Sequence, residues 1–306
     1  MNVLLTGGRG LVGSNVREYN YKGKGAKKHN ILFPTRDEMD LLDKESVARY
    51  FENNDIDCVI HAAGAVGGIH TNMNNLAGFM HDNMVMGMNI ISTAHQYGVK
   101  KFINLGTTCM YPKDAESPIS EDKIFTGSLE STNEGYAIAK SALAKFCEYL
   151  GGNYKTIIPC NLYGKYDKFH PDHSHMLPAA IRKLHLAKES GEKVVIWGDG
   201  TARREFMYAE DVAEFVWYCV ENIEDMPQNV NLGLGYDYTI QELYEAAAKV
   251  VGYDAGFDYD TTKPVGVMRK QSDITRLRDF GWEHKISLED GIRETYEFFK
   301  VAGDER

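Results

Sequence analysis

Seven residues behind the first apolar stretch restrict this fold more than any others. Asn2 to Thr6 reads as a short buried strand, and Gly7-Gly8-Arg9-Gly10-Leu11-Val12-Gly13 follows at once, leading into a helix through Ser14 and Val16. The spacing G-x-x-G-x-x-G puts Gly7, Gly10 and Gly13 where a tight turn, a close approach of backbone N–H groups to a pyrophosphate and close helix-on-strand packing are each needed. A glycine triplet alone is weak evidence; between an initial strand and a helix it marks a dinucleotide-binding turn.

The chain is therefore expected to be α/β, a Rossmann-type doubly wound parallel sheet with a smaller C-terminal α/β substrate lobe. Asn30 to Phe33 reads as the second strand and ends at Pro34-Thr35-Arg36. An acidic residue at this place would suit the ribose 2'-hydroxyl of NAD, whereas Arg36, with Arg9, suits the 2'-phosphate of NADP. Asp57 to Ala62 is a strand feeding Ala62, Ala63 and Gly64, small enough to let an adenosine lie against backbone. Val66 to His70 reads as a flexible loop, and Phe79 to His95 as a helix. Met80, Met84 and Met88 at helical spacing suit a core or dimer face; Asn83 and Asn89 could support the cofactor or the face that carries Tyr136 and Lys140, with a surface amide as the default reading.

Lys101 to Gly106 reads as a buried strand, so Thr107, Thr108 and Cys109 fall at its carboxyl end, where open α/β sheets bind ligands. Tyr111 to about Asn133 is irregular and reads as a lid or surface excursion. The helix Asn133 to Leu150, with Asn133 and Glu134 suited to its amino end, carries Tyr136 and Lys140 one turn apart. An ammonium there is expected to draw the phenol's pKa down towards neutrality. Tyr-x-x-x-Lys alone is usually a solvated helix face; the glycine turn upstream gives it weight.

Lys155 to Pro159 is the next strand, and Asn161-Leu162-Tyr163-Gly164 at its end faces the nicotinamide position. Strict alternation loosens after Gly164, which divides the chain into 1–164, with segments near 206–235 returning to it, and 165–306. His170, His173 and His175 share a polar loop, but no Cys or Glu joins them at metal-ligand spacing, so no metal is expected. The helix Met176 to Lys188 carries Arg182 and Lys183. Beyond the strand Val194 to Trp197 and the turn Gly198-Asp199-Gly200, Arg203-Arg204 suits a phosphate clamp, and Arg269-Lys270 is a second basic pair.

The 306 residues carry a net charge of -10, which speaks against nucleic-acid or membrane partners and requires a local basic patch for any anionic ligand. Five cysteines without C-x-x-C spacing suit a reducing compartment, and no signal peptide fits ahead of the first strand, so a cytoplasmic location is expected. No apolar run approaches transmembrane length.

Taken together, Val66-Gly67-Gly68-Ile69, Thr108 to Pro112, Thr132 to Lys140, Asn161 to Gly164, the His170–His175 loop and Arg204-Glu205-Phe206 resemble the GDP-L-fucose synthase family of extended short-chain dehydrogenase/reductases. The resemblance runs from the first strand to Trp282. It implies an NADPH-dependent enzyme acting on a GDP-linked 4-keto sugar, and a homodimer through the Phe79–His95 and Asn133–Leu150 helices. It further implies Tyr136 as general acid, Lys140 as the lysine that orients it and binds ribose, Thr107 in the place of a catalytic serine, and Cys109 with His175 as an epimerisation pair. Leu105, Gly106, Thr107, Thr108, Pro159, Asn161, Leu162 and His175 match cofactor contacts; Cys109, Lys183, Trp197, Arg204 and Lys270 match substrate contacts. Three positions depart from the pattern: Thr107 replaces serine, Lys183 stands for an arginine, and Val265 for an aspartate that can meet the nucleotide base. A related 4-keto substrate (a heptose or dideoxy sugar) and a non-catalytic NADP-sensing protein are the alternatives.

Overall fold

The computed structural model describes residues 1–25, 28–67, 69–171, 174–263 and 265–303, with only the backbone of Ile69 and His70. Part of the lysine-rich segment 21–28, Gly68 of the segment 66–70, and His173 of the histidine loop lie outside the described residues.

In chain order the first half contains β1 (Asn2–Thr6), α1 (Leu11–Tyr21), β2 (Asn30–Leu32), α2 (Lys44–Glu52), β3 (Cys58–His61), α3 (Ile69–Asn74), α4 (Leu76–Gln96), β4 (Lys101–Leu105), α5 (Glu134–Leu150), β5 (Tyr154–Pro159) and β6 (Asn161–Tyr163). The second half contains α6 (Met176–Ser190), β7 (Val194–Trp197), β8 (Arg203–Arg204), β9 (Phe206–Tyr208), α7 (Ala209–Glu221), β10 (Asn229–Leu232), β11 (Tyr238–Thr239), α8 (Ile240–Val251), β12 (Phe257–Asp260), β13 (Arg269–Lys270), α9 (Thr275–Asp279) and α10 (Leu288–Ala302). A helix therefore begins at Ile69, where the sequence suggested only a flexible loop.

Six strands form a parallel sheet in the order β10-β5-β4-β3-β1-β2. The order reverses at β1, so the crevice beyond the carboxyl ends of β1 and β3 is the place for a ligand. Strand β1 shows why the sheet is covered on both sides. Val3 and Leu5 pack with Val16 of α1 and Val212, Phe215 and Val216 of α7. Leu4, pointing the other way, packs with Val47, Phe51, Ile90, Ile91 and Leu143. A strand buried on both faces needs a continuous apolar run, which Val-Leu-Leu supplies.

Helices α4 and α5 approach closely because small residues stand at their contact: a Cβ on Gly87 would lie 2.2 Å from Leu143 Cδ1, and one on Gly135 2.2 Å from the Leu76 oxygen. Met80 and Met88 point outward from this pair, 39% and 38% exposed. Asn89 donates to the Leu41 oxygen at 2.8 Å and so serves the segment before α2.

A second core joins α6, α8 and α10 to β7 through Leu177, Ile181, Ile196, Leu243, Ile292 and Phe299. Two small sheets flank it, β12-β7 and β11-β8-β13, while β6 pairs with β9. The 111–133 connection is no free lid. Tyr111 Oη donates to Asn231 Oδ1, Glu121 accepts from Asn231 N at 2.7 Å, and Ile119 N donates to Gln271 O at 2.8 Å. It is stitched to the edge of β10 and to the segment that follows β13.

Candidate active site

The glycine turn cannot hold larger residues. Gly7 has φ +68°, and a Cβ there would lie 2.6 Å from Ala63 N; one on Gly13 would lie 2.3 Å from Gly7 O. Gly10 is the N-cap of α1 and has no side chain to occupy the first amides, leaving Leu11 and Val12 to open the helix. That is the cradle a pyrophosphate requires. Two braces hold it. Arg17 lays its guanidinium 3.6 Å from the Phe33 ring centroid and donates to Gly8 O at 3.0 Å, and Ala63 N donates to Thr6 Oγ1 at 3.3 Å. Arg9 is exposed on the turn, and Arg36, at the end of β2, is an exposed cation whose Nε lies 3.2 Å from Asp40. The turn, the helix start and the two arginines fit a dinucleotide carrying a 2'-phosphate.

The loop after β3 is held by a residue that a plain helical-face reading treats as surface amide. Asn83 accepts from Ala65 N at 3.0 Å and donates to Ala65 O at 3.0 Å. This sets Gly64 so close to Lys140 that an added Cβ would lie 3.6 Å from Nζ. His61, at the end of β3, bonds Thr6 Oγ1 at 2.8 Å; burial, with Lys140 adding, lowers its pKa to about 3. It is a neutral structural residue.

At the carboxyl end of β4, Gly106 N donates to Ile157 O at 2.8 Å, tying the strand end to β5 and its terminal Pro159. A short 3-10 turn, Thr108–Met110, follows and carries Cys109, which is partly exposed. Thr107 Oγ1 accepts from Cys109 N at 3.2 Å, which leaves its O–H free to donate. Asn133 Nδ2 donates to Cys109 Sγ at 3.2 Å. Asn133 is the N-cap of α5 yet makes no capping bond, so its side chain serves the sulfur and not the helix.

Tyr136 and Lys140 share one face of α5, with Lys140 Nζ 5.9 Å from the Tyr136 ring centroid. The expected lowering of the phenol's pKa does not occur. Burial raises it, and Cys109 raises it further. Burial also brings Lys140 down to about 8. Desolvation outweighs the attraction because the ammonium is turned to a backbone carbonyl, Leu105 O, at 2.9 Å. A phenol that keeps its proton near neutrality is suited to donate it.

Further out, β8 and β13 lie side by side, bringing Arg204 and Lys270 into register. Burial lowers the Arg204 pKa while Cys109 raises it, so the guanidinium lies within electrostatic reach of the sulfur. Lys270 Nζ donates to Thr108 O at 3.3 Å. Trp197 stands 56% exposed at the end of β7, with Lys183 Nζ and Lys263 Nζ each 5.5 Å from its ring. Val265 packs on the adjacent turn, where a Cβ on Gly198 would lie 2.7 Å from it. Lys263 has no local motif and was invisible in the sequence.

Asn161 Nδ2 donates to Glu205 O at 2.9 Å, joining β6 to the segment after β8, with Leu162 half-buried beside it. Glu205 is buried and accepts from Leu234 N, Gly235 N and Ser272 N at 3.0, 3.2 and 2.7 Å. His175 stands at the N-cap of α6, where desolvation and then Lys168 lower its pKa.

A protonated phenol, a lysine one turn on and a hydroxyl at the end of the fourth strand, beside a glycine cradle, define an extended short-chain dehydrogenase/reductase. Residues 3–233 match the NAD dependent epimerase/dehydratase family, and the chain belongs to it. It is 50% identical to the GDP-L-colitose synthase of Yersinia pseudotuberculosis over 98% of each chain. It is 44% identical to the GDP-L-fucose synthase of Azorhizobium caulinodans, over 99% of this chain and 97% of that one. Among solved structures, a GDP-mannoheptose C4 reductase from Campylobacter jejuni with NADP bound superposes with a TM-score of 0.88 at 30% identity, covering 98% of each chain.

Proposed function

We propose that this chain is an NADPH-dependent epimerase/reductase that converts GDP-4-keto-6-deoxy-mannose to GDP-L-fucose, inverting C3 and C5 and then reducing C4. The observation that carries it is that Tyr136 and Arg204 both lie within electrostatic reach of the Cys109 sulfur just beyond β4. A sulfur there can work on carbon while the phenol works on the neighbouring oxygen.

A 4-keto group acidifies the hydrogens on C3 and C5, because the electron pair left behind spreads onto the carbonyl oxygen. Cys109, as thiolate, takes the proton from one face. Tyr136 and the free O–H of Thr107 hydrogen-bond the oxyanion, the contribution usually worth most in such sites. His175, once protonated to the imidazolium from solvent, returns a proton to the opposite face. A bound reduced nicotinamide supplies the hydride for C4, and Tyr136 gives the C4 oxygen its proton. Gly7 to Gly13, Arg9, Arg36, Ala62, Ala63 and Lys140 would hold that cofactor, and Lys183, Trp197, Arg204 and Lys270 the nucleotide-sugar. The cofactor domain is 1–164 with the returning segments near 206–235, and 165–306 mainly the substrate lobe. Two copies pair through the outer faces of α4 and α5, which the exposed Met80 and Met88 support. Five free cysteines, four of them buried, suit the cytoplasm.

A second reading, a related GDP-linked 4-keto sugar, is supported by the likeness to the colitose synthase and the heptose C4 reductase and by Val265, which lies against Gly198 on the turn after Trp197. Turnover in heavy water decides between them. Deuterium at both C3 and C5 of a GDP-L-fucose product supports the first reading. Protium at both carbons defeats the epimerase assignment, and turnover of only a dideoxy or heptose substrate in the same panel moves it to the second.

A further inference from the structure

Two features of Asn133 are unfavourable for stability taken alone. At the N-cap of α5 its side chain makes no helix bond, and its Oδ1 is buried without a hydrogen-bond partner. Among the described residues, its side chain bonds Cys109, from Nδ2 to Sγ at 3.2 Å. A residue that neither caps its helix nor satisfies its own carbonyl is held in place by what it does for the sulfur.

We infer that Asn133 is a positioning residue that holds the Cys109 sulfur as an acceptor facing the substrate and offers it a partner in both of its protonation states. The inference rests on the proposed reading of Cys109 as the carbon base. A thiolate only accepts, and Nδ2–H is aimed at it. When the base acts, the substrate C–H bond breaks, an S–H bond forms and the electron pair moves to the C4 oxygen. The thiol then has a hydrogen to donate, and the free Oδ1 can receive it once the amide turns over about its last torsion. The other charged and titratable groups around it are Arg204 of β8 and Tyr136 of α5, both within electrostatic reach of the sulfur, and Lys270 of β13, which donates to the Thr108 carbonyl. Among the described residues, it is Asn133 that supplies the side-chain hydrogen bond to the sulfur.

The other four cysteines are buried, so alkylation by iodoacetamide reports Cys109 alone. The rate is measured against pH for the wild type, Asn133→Ala and the isosteric Asn133→Asp. Losing one donor to an anionic sulfur moves the midpoint of the profile up by about one pH unit in Asn133→Ala. The added carboxylate moves it further in Asn133→Asp. Deuterium exchange into the substrate falls at least about tenfold in both, with KM little changed. Midpoints within about 0.2 unit of wild type in both folded variants overturn the inference, since an ordinary error on such a profile is a small part of the expected shift. Should the wild type exchange no deuterium, the proposed function falls, and the alkylation profiles still decide whether Asn133 governs the sulfur.

Discussion

Lys140 donates to the carbonyl oxygen of Leu105 at 2.9 Å, which fixes its ammonium at the end of the strand leading to Thr107 and Cys109. The charge is buried there and its pKa falls from 10.5 to about 8. At pH 7 it is still protonated, so the fold carries the cost of burying it. Because the folded pKa lies below the unfolded one, the unfolded chain holds more protons between about pH 8 and 10.5, and this cost is relieved as pH rises through that window. Lys140→Met should therefore stabilise the cofactor-free protein at pH 7 by up to roughly 3 kcal/mol, and much less at pH 10, while abolishing reduction. Thermal unfolding at the two pH values checks the sign.

Tyr136→Phe removes the proton donor to C4 and leaves Cys109 in place. Reduction should fall by about 10²- to 10⁴-fold while part of the deuterium exchange survives. Because the phenol's pKa is raised and not lowered, its acid form persists well above neutrality, so its own titration should not cut the reduction rate between pH 6 and 9. Wild-type reduction by Tyr136→Phe would remove Tyr136 from the acid role.

Gly7→Ala forces a side chain into a left-handed turn whose Cβ would sit 2.6 Å from Ala63 N. The loss of stability should be about 2–4 kcal/mol, from backbone strain together with overpacking, and NADPH binding should weaken with it. Chemical denaturation and fluorescence titration measure the two effects separately.

Arg36→Ala should weaken NADPH about 10- to 100-fold and leave NADH nearly unchanged, since the guanidinium is exposed beyond the end of β2 with Asp40 beside it. Equal losses for both cofactors would place the 2'-phosphate elsewhere.

Glu205→Ala strips acceptors from three backbone N–H groups that have been drawn out of water. A loss of several kcal/mol is expected, since each buried donor left unpaired costs about 1–3 kcal/mol. Arg204 is its chain neighbour, so substrate KM should rise more than the NADPH dissociation constant.

What the sequence determined by itself is whatever one short segment encodes. The glycine turn, the apolar runs of β1, β3, β4 and β5 and the one-turn spacing of Tyr136 and Lys140 depend on neighbours a few residues apart, and each was legible. The strands β8, β11 and β13 are two residues long, too short to show any period, and they exist because they pair with one another. Only that pairing sets Arg204 beside Lys270 and carries both to the end of β4. The protonation of Tyr136 was misread for a related reason. A helical spacing reveals which charge is near, but the loss of water around a group depends on everything packed about it, and here that loss outweighs the charge. Asn133 has the sequence position of a helix cap; whether its amide turns to the helix or to Cys109, 24 residues earlier, is decided by how the turn after β4 meets the start of α5.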